Sequence, residues 1–440
     1  MPQTYDTTIK TGPERAILVG VKFKDDTMSE VQDSLNELKQ LARTSGMESV
    51  CEVIQVLDAP NPAYFIGSGK IEELEAVIAE LKAGAIIFDD NLTPAQTRNI
   101  EGTLDIIAID RTSLILRIFE QRAQTKSAKL QVELAQLEYA LPRLTRMWTH
   151  LSRQSAGGGA GGGAGGGGRG VGGAMRGEGE TQLQIDRRLT REQMVRVKKD
   201  LRMVGKQHRV QRQNREEMTN ISLVGYTNAG KSTLFNALTG ANLLAEDKLF
   251  ATLDTTTRVV ALAGNQQVLL SDTVGFIKKL PHHLVAAFKA TLEEVAEANL
   301  LLHVVDASHP QAVEQIDAVN TVLEALNAAE IPTLMVFNKI DLLEEQVELQ
   351  ILRAKYPDSV VISAETGEGL DALKAELAER FPAHISDIAL TIPYAEGKML
   401  DFLYKHGEVL ETDYQSDAIQ VKARIPDRYL KSVQPFSEFK

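Results

Sequence analysis

Ile221-Ser222-Leu223-Val224-Gly225-Tyr226-Thr227-Asn228-Ala229-Gly230-Lys231-Ser232-Thr233 passes from an apolar stretch through a glycine-bounded loop into helix-forming sequence. Residues 221–224 read as a buried strand, and Lys231 onward reads as a helix start. Gly225 to Ser232 satisfies G-x-x-x-x-G-K-[ST]. Gly225 and Gly230 permit a tight turn in which successive N–H groups point at the β-phosphate of a nucleotide. The helix adds the positive end of its dipole. Lys231 supplies a mobile cation for the β- and γ-phosphates, and the Ser232 hydroxyl is a hard oxygen ligand for Mg²⁺.

Working outward, strands are expected at 221–224, 258–263, 267–271, 300–305, 333–337 and 359–362, alternating with helices. That pattern predicts a doubly wound sheet with its ligand at the carboxyl ends of the strands. Three further signals fall at such ends. Asp272-Thr273-Val274-Gly275 follows one strand; the aspartate can hold Mg²⁺ through a water, and the Gly275 amide can meet the γ-phosphate. Asn338-Lys339-Ile340-Asp341 follows another. The Asp341 carboxylate can accept both the N1–H and the exocyclic amine of guanine, which adenine cannot offer. Asn338 is expected to brace the loops, and Lys339 to lie along the base. Ser363-Ala364-Glu365 follows a third strand and brings a backbone amide toward the guanine O6. Four such signals in this order specify a GTPase.

The segment Phe250-Ala251-Thr252-Leu253-Asp254 should approach the nucleotide, with a threonine closing on Mg²⁺ and the γ-phosphate. Thr252 is preferred and Thr256 is the alternative, so the expected metal set is Ser232, Thr252 and Asp272. After Gly275 comes Phe276, where many GTPases carry a water-orienting glutamine. An apolar side chain cannot position the attacking water. No catalytic residue is therefore assigned, and hydrolysis is expected to wait for a partner.

The chain divides by composition into an N-terminal α/β domain (1–120), a basic helical hairpin (121–219), the GTP-binding domain (220–383) and a small C-terminal α/β domain (384–440). In the first, apolar runs at 16–21, 51–57, 85–90 and 105–110 read as strands. Helices are expected over 29–44, 70–82 and 93–103, the last with Thr93 as N-cap before Pro94. Gly67-Ser68-Gly69-Lys70 precedes a helix and can cradle a phosphate, so ATP is a candidate ligand there; a plain turn with a helix start explains it equally well.

In the hairpin, Leu130, Leu134, Leu137, Leu141, Leu144, Trp148 and Leu151 form a heptad seam, and Met194, Val197, Leu201 and Val204 resume it. Two long helices with one apolar stripe each should pack antiparallel, kinked at Pro142. Between them lies a glycine tract inside Ser155–Glu180, surrounded by Arg146, Arg153, Arg169, Arg176, Arg187 and Arg188. A side-chain-poor loop edged with arginines can thread a narrow polyanionic channel; the plain alternative is a linker.

The net charge is −12, yet Arg111–Met218 holds 21 Lys and Arg against 10 Asp and Glu. That local +11 leaves 27 against 50, or −23, for the rest. A basic block in an acidic chain points to a polyanionic partner. One cysteine, Cys51, forbids an internal disulfide and suits a reducing compartment. There is no secretory signal pattern and no apolar run long enough to span a membrane, so a cytoplasmic protein without stable membrane insertion is expected.

FIGSGKIEEL (65–74), DDNLTPAQTRNIE (89–101), DRTSLILRIFEQRAQTKSAKLQVELAQLEYALPRL (110–144), the glycine tract, GETQLQIDRR (179–188) and FATLD followed by TTR all resemble the HflX family of ribosome-associated GTPases, in the Obg-like branch. Thr255 departs from it, standing where proline is usual. The resemblance implies an α/β multidomain chain using GTP, GDP and Mg²⁺, with the switch threonine at Thr252. It implies binding to rRNA of the large ribosomal subunit, with the hairpin tip reaching toward the peptidyl-transferase centre, and splitting of stalled ribosomes under stress. The expected partner set holds no DNA, and the protein is expected to act as a monomer. A proposed ATP site in the family's N-terminal domain bears on Gly67–Lys70. The alternatives are an ATP-driven rRNA remodeler and a GTP-gated binding scaffold.

Overall fold

The structure is a computed structural model describing residues 14–157, 174–213, 218–241, 249–250, 252–262, 266–279, 293–343, 347–381, 385–415, 417–426 and 429–436. It divides into two compact units. The first comprises residues 1–208 with 244–255 and 274–293; the second comprises 209–243, 256–273 and 294–440.

The first unit opens with β1 (Glu14–Lys22), α1 (Met28–Thr44), β2 (Met47–Val56), α2 (Ser68–Leu81), β3 (Ala85–Phe88), α3 (Pro94–Leu104), β4 (Ile107–Asp110) and α4 (Arg111–Arg122). The sheet order is β2-β1-β3-β4, all parallel. Helices must return the chain between parallel strands, and the sequence starts them cleanly. Thr27 with Glu30 and Thr93 with Gln96 form capping boxes, and Pro94 occupies the first turn of α3. Ile17, Leu18, Ile86, Ile87 and Phe88 are fully buried, as a strand covered on both faces requires. The second strand begins four residues before the expected 51, because pairing with β1 already starts at Glu14↔Met47.

Two long helices follow, α5 (Lys126–Gly157) and α6 (Ala174–Gln213). Helix α5 runs continuously through Pro142. Gln193 Nε2 donates to Glu133 Oε1 at 2.7 Å, and Lys198 meets Glu138 at 2.9 Å, joining the two helices. Val132, Leu134, Ala135 and Val197 are buried between polar neighbours. Most of the glycine tract, including Arg169, lies outside the described residues.

Asp110 anchors α5 to the sheet. Its carboxylate accepts from the Leu92 and Ser113 N–H groups, the Ser113 and Tyr139 hydroxyls, and Arg143 Nη2 at 2.7 Å. The Arg143 guanidinium also covers the Tyr139 ring, 3.4 Å from its centroid. Burial, then the Asp110 charge, pushes the Tyr139 hydroxyl well above its ordinary value. It therefore stays a donor.

The second unit contains β5 (Asn220–Val224), α7 (Lys231–Thr239), β6 (Thr256–Ala261), β7 (Gln267–Asp272), α8 (Glu293–Ala296), β8 (Leu300–Asp306), α9 (Ala312–Ala325), β9 (Thr333–Asn338), α10 (Val347–Lys355), β10 (Ser359–Val361) and α11 (Leu370–Arg380). The order is β10-β9-β8-β5-β7-β6, parallel except for β6, which runs antiparallel to β7. The order reverses beside β5, where a doubly wound sheet forms its ligand crevice. Leu223, Leu302, Val304, Leu334 and Val336 face one core, while Val305, Met335 and Phe337 face another. Each buried aliphatic side chain contributes about 1.5–3 kcal/mol.

The chain ends with β11 (Ile385–Pro393), α12 (Gly397–His406), β12 (Glu408–Tyr414), β13 (Ala418–Pro426) and α13 (Leu430–Val433). They form an antiparallel sheet ordered β11-β13-β12, with Leu403 of α12 buried among Leu390, Ile392, Val421 and Ile425. Among the described residues, no helix is long and apolar enough to cross a membrane.

A candidate nucleotide-binding site

The phosphate loop leaves β5 at Val224 and enters α7 at Lys231. Gly225 has φ +149° and Gly230 has φ +91°. A Cβ on Gly225 would collide with the Val304 carbonyl, and one on Gly230 with Asn338 Nδ2. Both positions therefore demand glycine for conformation and for space. Asn228 also lies in the left-handed region, which asparagine tolerates.

Lys231, only 6% exposed, donates to the Gly225 carbonyl at 3.1 Å and the Tyr226 carbonyl at 2.7 Å. Burial pulls its ammonium down to about 8; Asp272 opposes that shift and Lys339 adds to it. A phosphate arriving there would favour the charged form and push that value back up. On β8, burial and then Lys231 hold the His303 imidazole down at about 3, so this ring is neutral.

The Ser232 hydroxyl donates to Asp272 Oδ2 at 2.8 Å. A hydroxyl and a buried carboxylate this close are a pair of hard oxygen donors, which suits Mg²⁺. The Thr273 hydroxyl donates to the Leu223 carbonyl at 2.5 Å, fixing the end of β7 against β5. The alternative threonine, Thr256, lies in β6 directly opposite Asp272 in the ladder.

Asn338 closes the other side. Its Nδ2 donates to the Ala229 carbonyl at 2.9 Å, and its Oδ1 accepts from the Ala364 N–H at 2.9 Å. One buried amide thus joins the phosphate loop to the loop after β10. Ser363 is fully buried, its hydroxyl accepting from the Thr366 N–H at 3.1 Å; Glu365 is exposed. Ile340 and Asp341 begin a short 3₁₀ turn, with Asp341 exposed. Lys339 has φ +65° and meets Asp306 Oδ2 at 2.7 Å. The Asp306 carboxylate also accepts from the Ser308 N–H and hydroxyl.

Sequence reasoning missed Asp306. The available signal was an acid ending β8, the strand beside β9, because β9 ends in the base-recognition motif.

The segment around Thr252 is packed within the first unit. Phe250, at φ +56° and 3% exposed, sets its ring edge-on against Phe119 of α4, centroids 4.7 Å apart. Leu253 is buried. Asp254 accepts from the Gln124 and Thr125 N–H groups at 3.2 and 3.1 Å, and from the Thr125 hydroxyl. The side chains of Phe250 and Asp254 thus find partners within the first unit, a pairing that sequence spacing does not encode. Ala251 lies outside the described residues.

The segment after Asp272 behaves similarly. Val274 and Phe276 are buried. Lys279 meets Asp89 at 2.5 Å and Asp90 at 3.0 Å. Asp89 is also held by Arg111 at 2.6 Å and the Ser34 hydroxyl at 2.7 Å, while Arg111 additionally pairs with Glu37 and donates to the Lys278 carbonyl. Burial pushes the Asp89 carboxyl up, but Arg111 and Lys279 outweigh it and hold the group below its ordinary value.

At Gly67–Lys70 the first N–H and the lysine side chain are engaged internally. The Gly67 N–H donates to Gln55 Oε1 at 3.0 Å, and Lys70 pairs with Glu73 at 2.6 Å. The ATP expectation gains no support from this geometry.

Family models match the chain along most of its length. They are described as GTP-binding GTPase N-terminal over residues 32–120, GTP-binding GTPase Middle Region over 122–215, and 50S ribosome-binding GTPase over 220–339. The GTPase HflX of Escherichia coli (strain K12) is 43% identical over 418 residues, covering 94% of each chain. The chain belongs to the HflX family of GTPases. The HflX of Lacrimispora saccharolytica is 44% identical over 427 residues, covering 97% of this chain and 96% of that one. Among solved structures, a GTP-binding protein from Sulfolobus solfataricus in complex with GDP matches with a TM-score of 0.45 and 22% identity, covering 83% of this chain and 98% of that one. This HflX-family chain binds guanine nucleotides and hydrolyses GTP.

Proposed function

We propose that this GTPase is a switch that binds the large ribosomal subunit through its basic hairpin and separates stalled ribosomes into subunits under stress. The observation that carries the reading is the charge division: +11 on Arg111–Met218 against −23 elsewhere, continuous in sequence with a domain matched by a 50S ribosome-binding GTPase model. On α6, Arg188, Arg191 and Arg196 are exposed and flank Val195, itself 67% exposed. Guanidinium groups beside an apolar side chain suit phosphates and unstacked bases.

In this reading the amides of Gly225–Ser232 cradle the phosphates and Lys231 neutralises their charge. Ser232, Asp272 and Thr252 would hold Mg²⁺, which would supply charge neutralisation at the phosphates. Asp341 selects guanine, Ala364 offers its amide to O6, and Lys339, set by Asp306, lies along the base. Phe276 leaves the attacking water unoriented, so hydrolysis accelerates when the ribosome completes the site.

Turnover with and without purified large subunits tests the switch, and splitting of intact ribosomes with GTP or a non-hydrolysable analogue tests its use. Stimulated turnover, with splitting supported by the analogue, is the expected result; binding then supplies the force and hydrolysis the release. Equal turnover with and without subunits would overturn the reading.

A further inference from the structure

The start of the hairpin is built around one residue of the Thr252 segment. Thr125 is the N-cap of α5: its hydroxyl accepts from the Ala128 N–H at 3.1 Å, and its carbonyl accepts from the Lys129 N–H at 3.0 Å. That same hydroxyl donates to Asp254, whose carboxylate also takes the Gln124 and Thr125 N–H groups. A carboxylate at this end of a helix is further favoured by the helix dipole. Phe250 against Phe119 clamps the segment from its other side. One residue, Leu253, separates Asp254 from Thr252, a reach of about 7 Å over two residue steps at full extension. A displacement of Thr252 is therefore felt at the cap.

We infer that Asp254 couples the nucleotide to the hairpin: ordering of Thr252 by GTP shifts the grip of Asp254 on the Thr125 cap and so alters the first turn of α5. Asp254 and Thr125 are positioning residues and touch no reacting atom. Coupling is reciprocal in binding free energy, so a load on the hairpin biases the Thr252 segment and with it the affinity for GTP. The inference rests on the proposed role of Thr252.

The test is hydrogen exchange on the full-length protein with GDP and with a non-hydrolysable GTP analogue, comparing wild type, Thr125→Ser and Thr125→Val. Thr125 is exposed, so neither change threatens the core. The Ser variant keeps the hydroxyl; the Val variant removes it while keeping the side-chain shape. Wild type and Thr125→Ser should show nucleotide-dependent protection both at 252–255 and at 126–131. In Thr125→Val the response at 126–131 should vanish and kcat for GTP should change measurably, by up to about fivefold if the whole free energy of a typical N-cap reaches the Thr252 segment. GDP affinity should be unchanged. A response at 252–255 without one at 126–131 in wild type overturns the coupling and leaves the switch reading standing. No response at 252–255 overturns the switch reading and the coupling with it. A Val variant with wild-type kcat and wild-type exchange also overturns the coupling.

Discussion

Replacing Asn338 by alanine removes both hydrogen bonds that join the phosphate loop to the loop after β10. The Ala229 carbonyl and the Ala364 N–H would each lose a partner in a site where Asn338 is 2% exposed. Each orphaned buried group costs about 1–3 kcal/mol, so about 3 kcal/mol is expected after partial hydration. At roughly 2–4 °C per kcal/mol for a domain of this size, the unfolding midpoint should fall by about 6–12 °C. A loosened phosphate loop should also weaken GDP at least tenfold, removing about 1.4 kcal/mol of ligand stabilisation. Thermal unfolding with and without saturating GDP reads both quantities. Asn338→Asp separates the two bonds, since it keeps the acceptor for Ala364 and loses the donor to Ala229. Protonation of the buried carboxyl would restore that donor, and this bond, together with burial, raises its folded-state pKa. Its stabilising contribution is then present at low pH and lost as pH rises through that raised value, so acid should favour this variant relative to wild type. An Asn338→Ala protein with an unchanged midpoint and unchanged GDP affinity would refute the bracing role.

Asp341→Asn replaces a double acceptor with a group that donates one of its bonds; GTP affinity should fall by about tenfold to a hundredfold while xanthine nucleotides gain, read by competition with XTP. Lys231, pulled down to about 8 by burial, should take up a proton when GDP arrives near pH 8–9, seen calorimetrically in buffers of different ionisation enthalpy and absent in Lys231→Met. Because its folded pKa is depressed, the nucleotide-free protein should gain stability as pH rises from about 8 toward the unfolded value near 10.4. Neutralising Arg187, Arg188, Arg191 and Arg196 should reduce the slope of log affinity for large subunits against log salt by roughly 0.7–0.9 per lost phosphate contact, with GDP affinity intact; an unchanged slope would remove α6 from the contact.

Local chemistry made the phosphate loop, the capped helices and the strand-end motifs legible. Glycines at 225 and 230, Thr93 before Pro94, and Asn338 after an apolar strand each announce their geometry within a few residues. The partners of Asp254 and Lys279 were illegible, because they lie 129 and 190 residues away and depend on tertiary packing. Phe250 and Asp254 flank Thr252 in sequence, yet the side-chain partners of both lie in α4 and at the start of α5. Pro142 signalled a break, yet α5 continues through it. The hydrogen bonds of Tyr139 and Arg143 to Asp110 hold that part of the helix to the sheet on both sides of the proline.

Those same bonds give α5 the mechanics of a beam on two supports. One support is Thr125 at its root and the other is the Asp110 cluster at Tyr139 and Arg143. At 1.5 Å per residue they stand about 27 Å apart, leaving an overhang of about 21 Å to Gly157. A push on the overhang pivots at Arg143 and returns to the root as an opposing force of about four-fifths its size. Lever geometry thus sets the force that reaches residue 125, and compliance at the root sets how far the first turn moves.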